Sequence, residues 1–179
     1  LGDLPTDCPF VGVDQRRVAE LAAEHLLGRG LSHFAACGLR PGLRAGLDKR
    51  IQVFRDKVEE AGHRCTVFRP RGGDGLRLSW DKEQAQIERW VAGLPKPVGI
   101  FACNDTRGRE ILFVCHQAGF DVPDEVAVLG AGNDKLLCEL SNERLSSIDV
   151  DPLRVGHRAA AVLDRMMAGR KVPAETLIS

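Results

Sequence analysis

The chain has 179 residues, 44% hydrophobic and 28% charged, with 25 basic side chains set against 25 acidic ones. That length suffices for a core of its own, and no stretch approaches the roughly 20 apolar residues of a membrane span. With a formal charge of zero, nothing in the composition resembles the basic footprint of a nucleic-acid-binding surface, so contact with DNA is expected of another segment.

The opening LGDLPTDCPF has neither the charged start nor the apolar run of a secretion signal, and it begins without methionine, as a segment of a longer chain would. A short strand is predicted at Phe10–Val13, with Asp14 as N-cap of a helix whose Val18, Leu21, Ala22 and Leu26 recur three or four apart. Gly28 and Gly30 end that helix, and a strand follows at His33–Cys37. The Gly- and Pro-rich GLRPGLRAGLDKR leads to a second helix from about Lys49 to Ala61, closed by Gly62. Cys65–Phe68 reads as a strand, and the polar loop RPRGGDGLRLSW as a candidate site wall.

A third helix starts near Asp81 with Ile87, Trp90, Val91 and Leu94 on one stripe, until LPKP breaks it. Val98–Cys103 is the next strand. Beyond Asn104-Asp105 a helix keeps Ile111, Val114, Cys115 and Ala118 in register, and Gly119 ends it. Val126–Leu129 is a strand. Asp151-Pro152 opens a last helix with Leu153, Gly156, Ala160, Leu163 and Met167 on one face, and VPAETLIS reads as a short strand. This alternation predicts an α/β fold with a mainly parallel open sheet flanked by helices.

Ligands of such sheets sit outside the carboxyl ends of the strands, where the next helix offers free N–H groups. Four places qualify: Asp14-Gln15, the loop before Arg50, Asn104-Asp105, and the GAGND run from Gly130 to Asp134. Asn both donates and accepts, Asp accepts, and Arg presents a fork of donors, a set suited to vicinal hydroxyls. Each has a plainer reading. Capping is favoured for Asn104-Asp105 and solvation for Arg50, while Trp80 serves either as hydrophobic cover or as a face for a sugar ring, and Trp90 reads as core.

The six cysteines lack C-x-x-C spacing and fall mostly in apolar runs, which favours packed thiols in a reducing compartment over a zinc site at Cys115-His116 or His63-Arg64-Cys65. No nucleophile elbow, phosphate-binding loop or zinc-protease helix is present. His25, His63 and His157 have no evident nucleophile to serve. The residues therefore predict neither a metal, a cofactor nor an enzyme.

Several motifs come in a familiar order. A strand ends in Asp14, and A-x-x-H-L-x-x-x-G runs from Ala22 to Gly30; R-x-x-x-F covers Arg50 to Phe54, and FACND ends a strand. QAGFDVPDEVAVLG spans Gln117 to Gly130, before LSSIDVDPLRVGHRAA. Over nearly its whole length the chain resembles the sugar-sensing domain shared by lactose-repressor-type regulators and periplasmic sugar-binding proteins. GLPKPVGIFACND, RGREILFVC, LSNERLSS and the Trp80–Trp90 helix are similar to the xylose-responsive branch, whose members carry an AraC-type DNA-binding region after the sensing domain.

The resemblance implies one lobe of a type I periplasmic-binding-protein-like domain with two lobes. By it, residues 1–13 end the N-terminal lobe and form the first crossover, 14–145 form the C-terminal lobe, 146–168 the return crossover and a helix of the other lobe, and 169–179 a final crossover and edge strand. It implies a monosaccharide ligand, xylose or a related pentose; the alternatives are a periplasmic sugar-binding transport receptor of the same fold and an α/β enzyme acting on a sugar or nucleotide with Asp105 as base. Operator DNA would be bound through segments outside this chain of a cytoplasmic, homodimeric regulator. Arg50 matches the family arginine that clamps sugar hydroxyls, Asn104 or Asp105 the strand-end contact and Asp14 the hinge-side acid; Trp80 and Asn133 complete the expected ligand set. One departure stands out: relatives place an aspartate two residues after the strand-end glycine, where this chain has Gly132, and Asn133 would take its part.

Overall fold

A computed structural model describes residues 8–71, 80–140 and 143–179. The loop expected as a site wall lies for the most part outside them. The elements are β1 (Phe10–Val13), α1 (Gln15–Leu27), β2 (His33–Cys37), α2 (Ala45–Glu60), β3 (Cys65–Phe68), α3 (Trp80–Ala92), β4 (Val98–Ala102), α4 (Asp105–Ala118), β5 (Val126–Gly132), α5 (Lys135–Glu139), β6 (Ser146–Asp149), α6 (Pro152–Met167) and β7 (Glu175–Ile178).

Five strands form a parallel sheet in the order β3-β2-β4-β5-β6. The apolar runs explain the central position of β4. All five of its residues are buried, because helices cover both faces of the sheet, and an unbroken hydrophobic strand suits only such a place. Alternate residues divide the core in two. Phe34, Ala36, Phe101, Cys103 and Leu129 face α1 and α2; Ala35, Cys37, Ile100 and Ala102 face α3 and α4. Phe54 of α2 meets Phe101 at 4.8 Å between ring centroids, fastening that helix over the sheet's centre.

Several boundaries differ from the sequence reading. Helix α2 begins four residues before Lys49, at Ala45, after an Arg44 that gives no side-chain cap; the Asp48 carboxylate instead ties the loop back by accepting from Gly42 N–H at 2.8 Å. Strand β5 continues through Gly132, and α5 and β6 were not foreseen. β6 is a short, half-exposed edge strand, SSID, with too few apolar residues to signal itself. It pairs with β5, so residues 146–149, expected within the return crossover, lie in the five-stranded sheet.

β1 and β7 form a separate parallel pair, Phe10 opposite Glu175 through Val13 opposite Ile178. Helix α6 packs beside β1 with Val162 as its buried residue. The rest of its apolar stripe is open: Leu153 is 86%, Leu163 55% and Met167 73% exposed.

Candidate functional site

Strand order reverses direction between β2 and β4, since the chain goes from β2 outward to β3 and later from β4 outward to β5 and β6. The space outside the carboxyl ends of the strands at such a reversal is the usual ligand position of open α/β sheets. At this point the structure places Arg50. Although it was expected to be solvated or clamping a sugar, its side chain is 4% exposed. Nε donates to Gln15 Oε1 at 2.9 Å and Nη1 to the Cys103 carbonyl at 2.6 Å. Burial pulls the guanidinium's proton affinity down, partly countered by Cys103 and Asp105 nearby. Two fixed bonds hold the remaining Nη2 on a preset fork, the rigidity by which arginine recognises hydroxyl or carboxylate oxygens.

Asp14 sits beside this arrangement. It caps α1, its carboxylate accepting from Arg16 N–H at 3.0 Å and Arg17 N–H at 3.1 Å, and its own N–H donates to Ile178 O of β7 at 2.7 Å. The cap thus joins the small sheet to the helix that carries Gln15.

Asn104 and Asp105 divide their tasks. Asn104 is the N-cap of α4, Oδ1 accepting from Arg107 N–H at 2.8 Å, which leaves its amide donors for other partners. Asp105 is 3% exposed and binds inward. Its Oδ2 accepts from Asp134 N–H at 2.9 Å, and its Oδ1 from the Ser147 hydroxyl at 2.5 Å. Two glycines of β5 make room for this carboxylate: a Cβ on Gly130 would come within 2.5 Å of Oδ1, and one on Gly132, whose φ is +146°, within 2.6 Å of Oδ2. An aspartate at 132 would put its own Cβ against Asp105, which accounts physically for the departure noted above.

Asn133 follows in a left-handed conformation, φ 53°. Its N–H donates to Ser147 Oγ at 3.0 Å and its amide to Asp149 Oδ2 at 3.2 Å. Asp14, Arg50, Asn104, Asp105 and Asn133 therefore lie along one strand-end edge, linked through Gln15, Cys103 and Ser147. Trp80 lies apart from these bonds, 56% exposed at the start of α3. An ion pair brings it to the same edge, since Arg107 Nη2 of α4 meets Glu83 Oε1, one turn from Trp80, at 2.6 Å.

Arg107 escaped the sequence reading. It is 3% exposed, and its Nη1 also lies 2.6 Å from Glu110 Oε2, a charge contact without hydrogen-bond alignment. Burial works against its charge, but Cys37, Glu110 and Glu83 outweigh it and raise its proton affinity. Burial lifts the Glu110 carboxyl above its usual range despite Arg107. The Arg107–Glu110 spacing of three within a helix was the available signal. Ser147 gave none, because its role depends on a partner 42 residues away.

Three of the six thiols are poorly suited to act as nucleophiles. Burial raises Cys103 to about 11, Cys115 to about 11 and Cys65 to about 12, so all three stay protonated near neutrality. Cys115 points into the core while neighbouring His116 reaches outward to Glu143, which disperses that zinc alternative. His63 is likewise engaged edge-on with Phe34 at 5.0 Å.

Comparison with known proteins gives a consistent picture. The model of the periplasmic binding protein-like domain matches residues 23–178. The xylose operon regulatory protein of Haemophilus influenzae is 30% identical over 165 residues, 92% of this chain and 42% of that protein. The HTH-type transcriptional regulator GntR of Pseudomonas aeruginosa is 34% identical over 167 residues, 90% of this chain and 46% of that protein. Among solved structures, that of the xylose-binding transcription activator xylR superposes with a TM-score of 0.86 at 29% identity, covering 99% of this chain and 47% of the other. The chain spans under half the length of these relatives.

Proposed function

The chain belongs to the periplasmic binding protein-like family, and on that premise we propose that it is the effector-binding part of a transcription regulator that responds to a sugar, xylose or a related pentose. The observation that carries this reading is the buried Arg50 fork, held at the strand ends by Gln15 and by the carbonyl of Cys103, the residue before the Asn104 cap; Asn133 follows the end of β5. These groups offer donors to sugar oxygens, and Asp14, whose second carboxylate oxygen is not used by the α1 cap, adds an acceptor. Trp80 is an apolar face for the ring, while Asp105, both oxygens engaged within the protein, positions Asn104 and the β5 end without touching ligand.

The engaged Asp105 also disfavours the rival reading of an enzyme that uses it as a base, since a base needs an open lone pair directed at substrate. The relatives named above are transcription regulators. The exposed apolar stripe of α6 and the isolated β1–β7 pair support a second lobe covering them, with β1, β6–α6 and β7 as the joining segments. Sugar binding between lobes would favour the closed state by its higher affinity for that state and so change the presentation of attached DNA-binding segments in a cytoplasmic dimer.

A thermal-shift series on the full-length protein with D-xylose, L-arabinose, D-ribose and D-glucose tests this. Stabilisation by a pentose, with the sugar recovered unchanged, is expected. A protein that responds to no monosaccharide, or that converts one, would overturn the reading.

A further inference from the structure

A second place in the molecule has the character of a binding site and shares no residue with the strand-end edge. β3 pairs only with β2 among the described strands, so its outer side is an open edge. Along it, between α2 and α3, runs a groove of about 840 Å³. Its floor is Phe68 against Trp90, ring centroids 5.1 Å apart. Arg55, Arg69, Arg71 and Arg89 line it, and no acidic side chain does among the described residues.

Four arginines around a groove with no carboxylate among its described lining residues are a local departure in a chain whose charges balance at 25 and 25. Their availability differs. Arg69 and Arg71 are exposed and make no ion pair with a described residue. Arg89 gives only Nε, to Ala85 O at 3.0 Å within its own helix. Arg55 lies 3.3 Å from Asp56 and 3.7 Å from Glu59, same-helix partners at the surface and therefore weak competitors. Guanidinium forks match phosphate and carboxylate oxygens in pairs of parallel hydrogen bonds. The size falls within the few hundred to a thousand Å³ usual for small-molecule sites.

We propose that this groove binds a small polyanion, a phosphate ester or polycarboxylate whose carbon skeleton rests on Phe68 and Trp90. Such a ligand would be a second effector, independent of the sugar.

Isothermal titration calorimetry of the full-length protein at low ionic strength, with pyrophosphate and citrate as probes, tests the proposal, because exposed charge contacts fade as salt shortens the Debye length. Saturable binding of either probe is expected. It should weaken about tenfold or more in Arg69→Ala/Arg71→Ala, from the loss of charge-assisted hydrogen bonds, and persist in Arg158→Ala on α6. Absence of binding, or equal weakening by Arg158→Ala, overturns it. So does a hexaglutamate peptide bound more tightly than either probe, which would mark the groove as a seat for an acidic chain. Pentose binding by the same variants separates this result from the sugar reading.

Discussion

A single methyl group at residue 132 probes the Asp105 clasp directly. Gly132→Ala imposes φ near +146° on a residue with a side chain, a cost of about 1–2 kcal/mol. Its Cβ would also stand 2.6 Å from Asp105 Oδ2, so the carboxylate has to swing away. That movement forfeits the bond from Asp134 N–H at 2.9 Å or strains the one from Ser147 at 2.5 Å, and a hydrogen bond to a charged group is worth about 1.5–3 kcal/mol. Together the variant should lose about 3 kcal/mol, read as a lower urea midpoint with an unchanged slope. A double-mutant cycle isolates the cause. In an Asp105→Gly background, Gly132→Ala should cost only its backbone share, leaving a coupling of about 2 kcal/mol. If the penalty in both backgrounds is the same, or the single variant loses under about 0.5 kcal/mol, Asp105 is not held as described.

Three other outcomes follow from the same geometry. Arg50→Lys should destabilise the fold by about 2 kcal/mol and abolish the pentose thermal shift, because one ammonium cannot span both Gln15 and the Cys103 carbonyl; a retained shift would remove Arg50 from the site. Brief alkylation of the native protein, read by mass spectrometry, should label Cys8, exposed, and spare Cys37, Cys103 and Cys115, which are buried and protonated; rapid labelling of Cys103 would contradict the packing at the end of β4. Burial and Arg29 lower the pKa of His25 below 6.5, so the folded chain binds fewer protons there than the unfolded one. This contribution to stability grows as pH rises toward and through 6.5, and is lost on acidification through the lower folded value. Melting temperatures taken across that range should show a shallower rise for His25→Gln than for the unaltered protein.

The fold was legible wherever local rules decide. β1, β2 and β3 have the limits that their apolar runs suggested, and the caps at Asp14 and Asp151 act as their positions before a helix implied. β6 and α5 were missed because a polar edge strand and a five-residue helix owe their existence to β5 and to the Asp134 cap. The site divides along the same line. Asn104 as a cap is a local matter and could be read; the inward turn of Asp105 depends on Gly130, Gly132 and Ser147, three partners distant in the chain. Arg50 looked solvated because a helical wheel cannot reveal that the carbonyl it needs lies 53 residues away.

The β1–β7 pair has a bearing on how the chain assembles. Phe10 meets Glu175 only after about 165 residues have been brought round, a closure worth roughly 4–5 kcal/mol in chain entropy if made from an unfolded state. Four residues a side cannot repay that alone. The pair forms cheaply once the five-stranded sheet has already brought α1 and α6 to the same end, which makes it a late-assembling and early-opening clasp. Since Asp14 hangs from this clasp through its bond to Ile178, its opening would loosen the amino end of α1 and with it Gln15. The Arg50 fork is therefore only as steady as this four-residue strand pair.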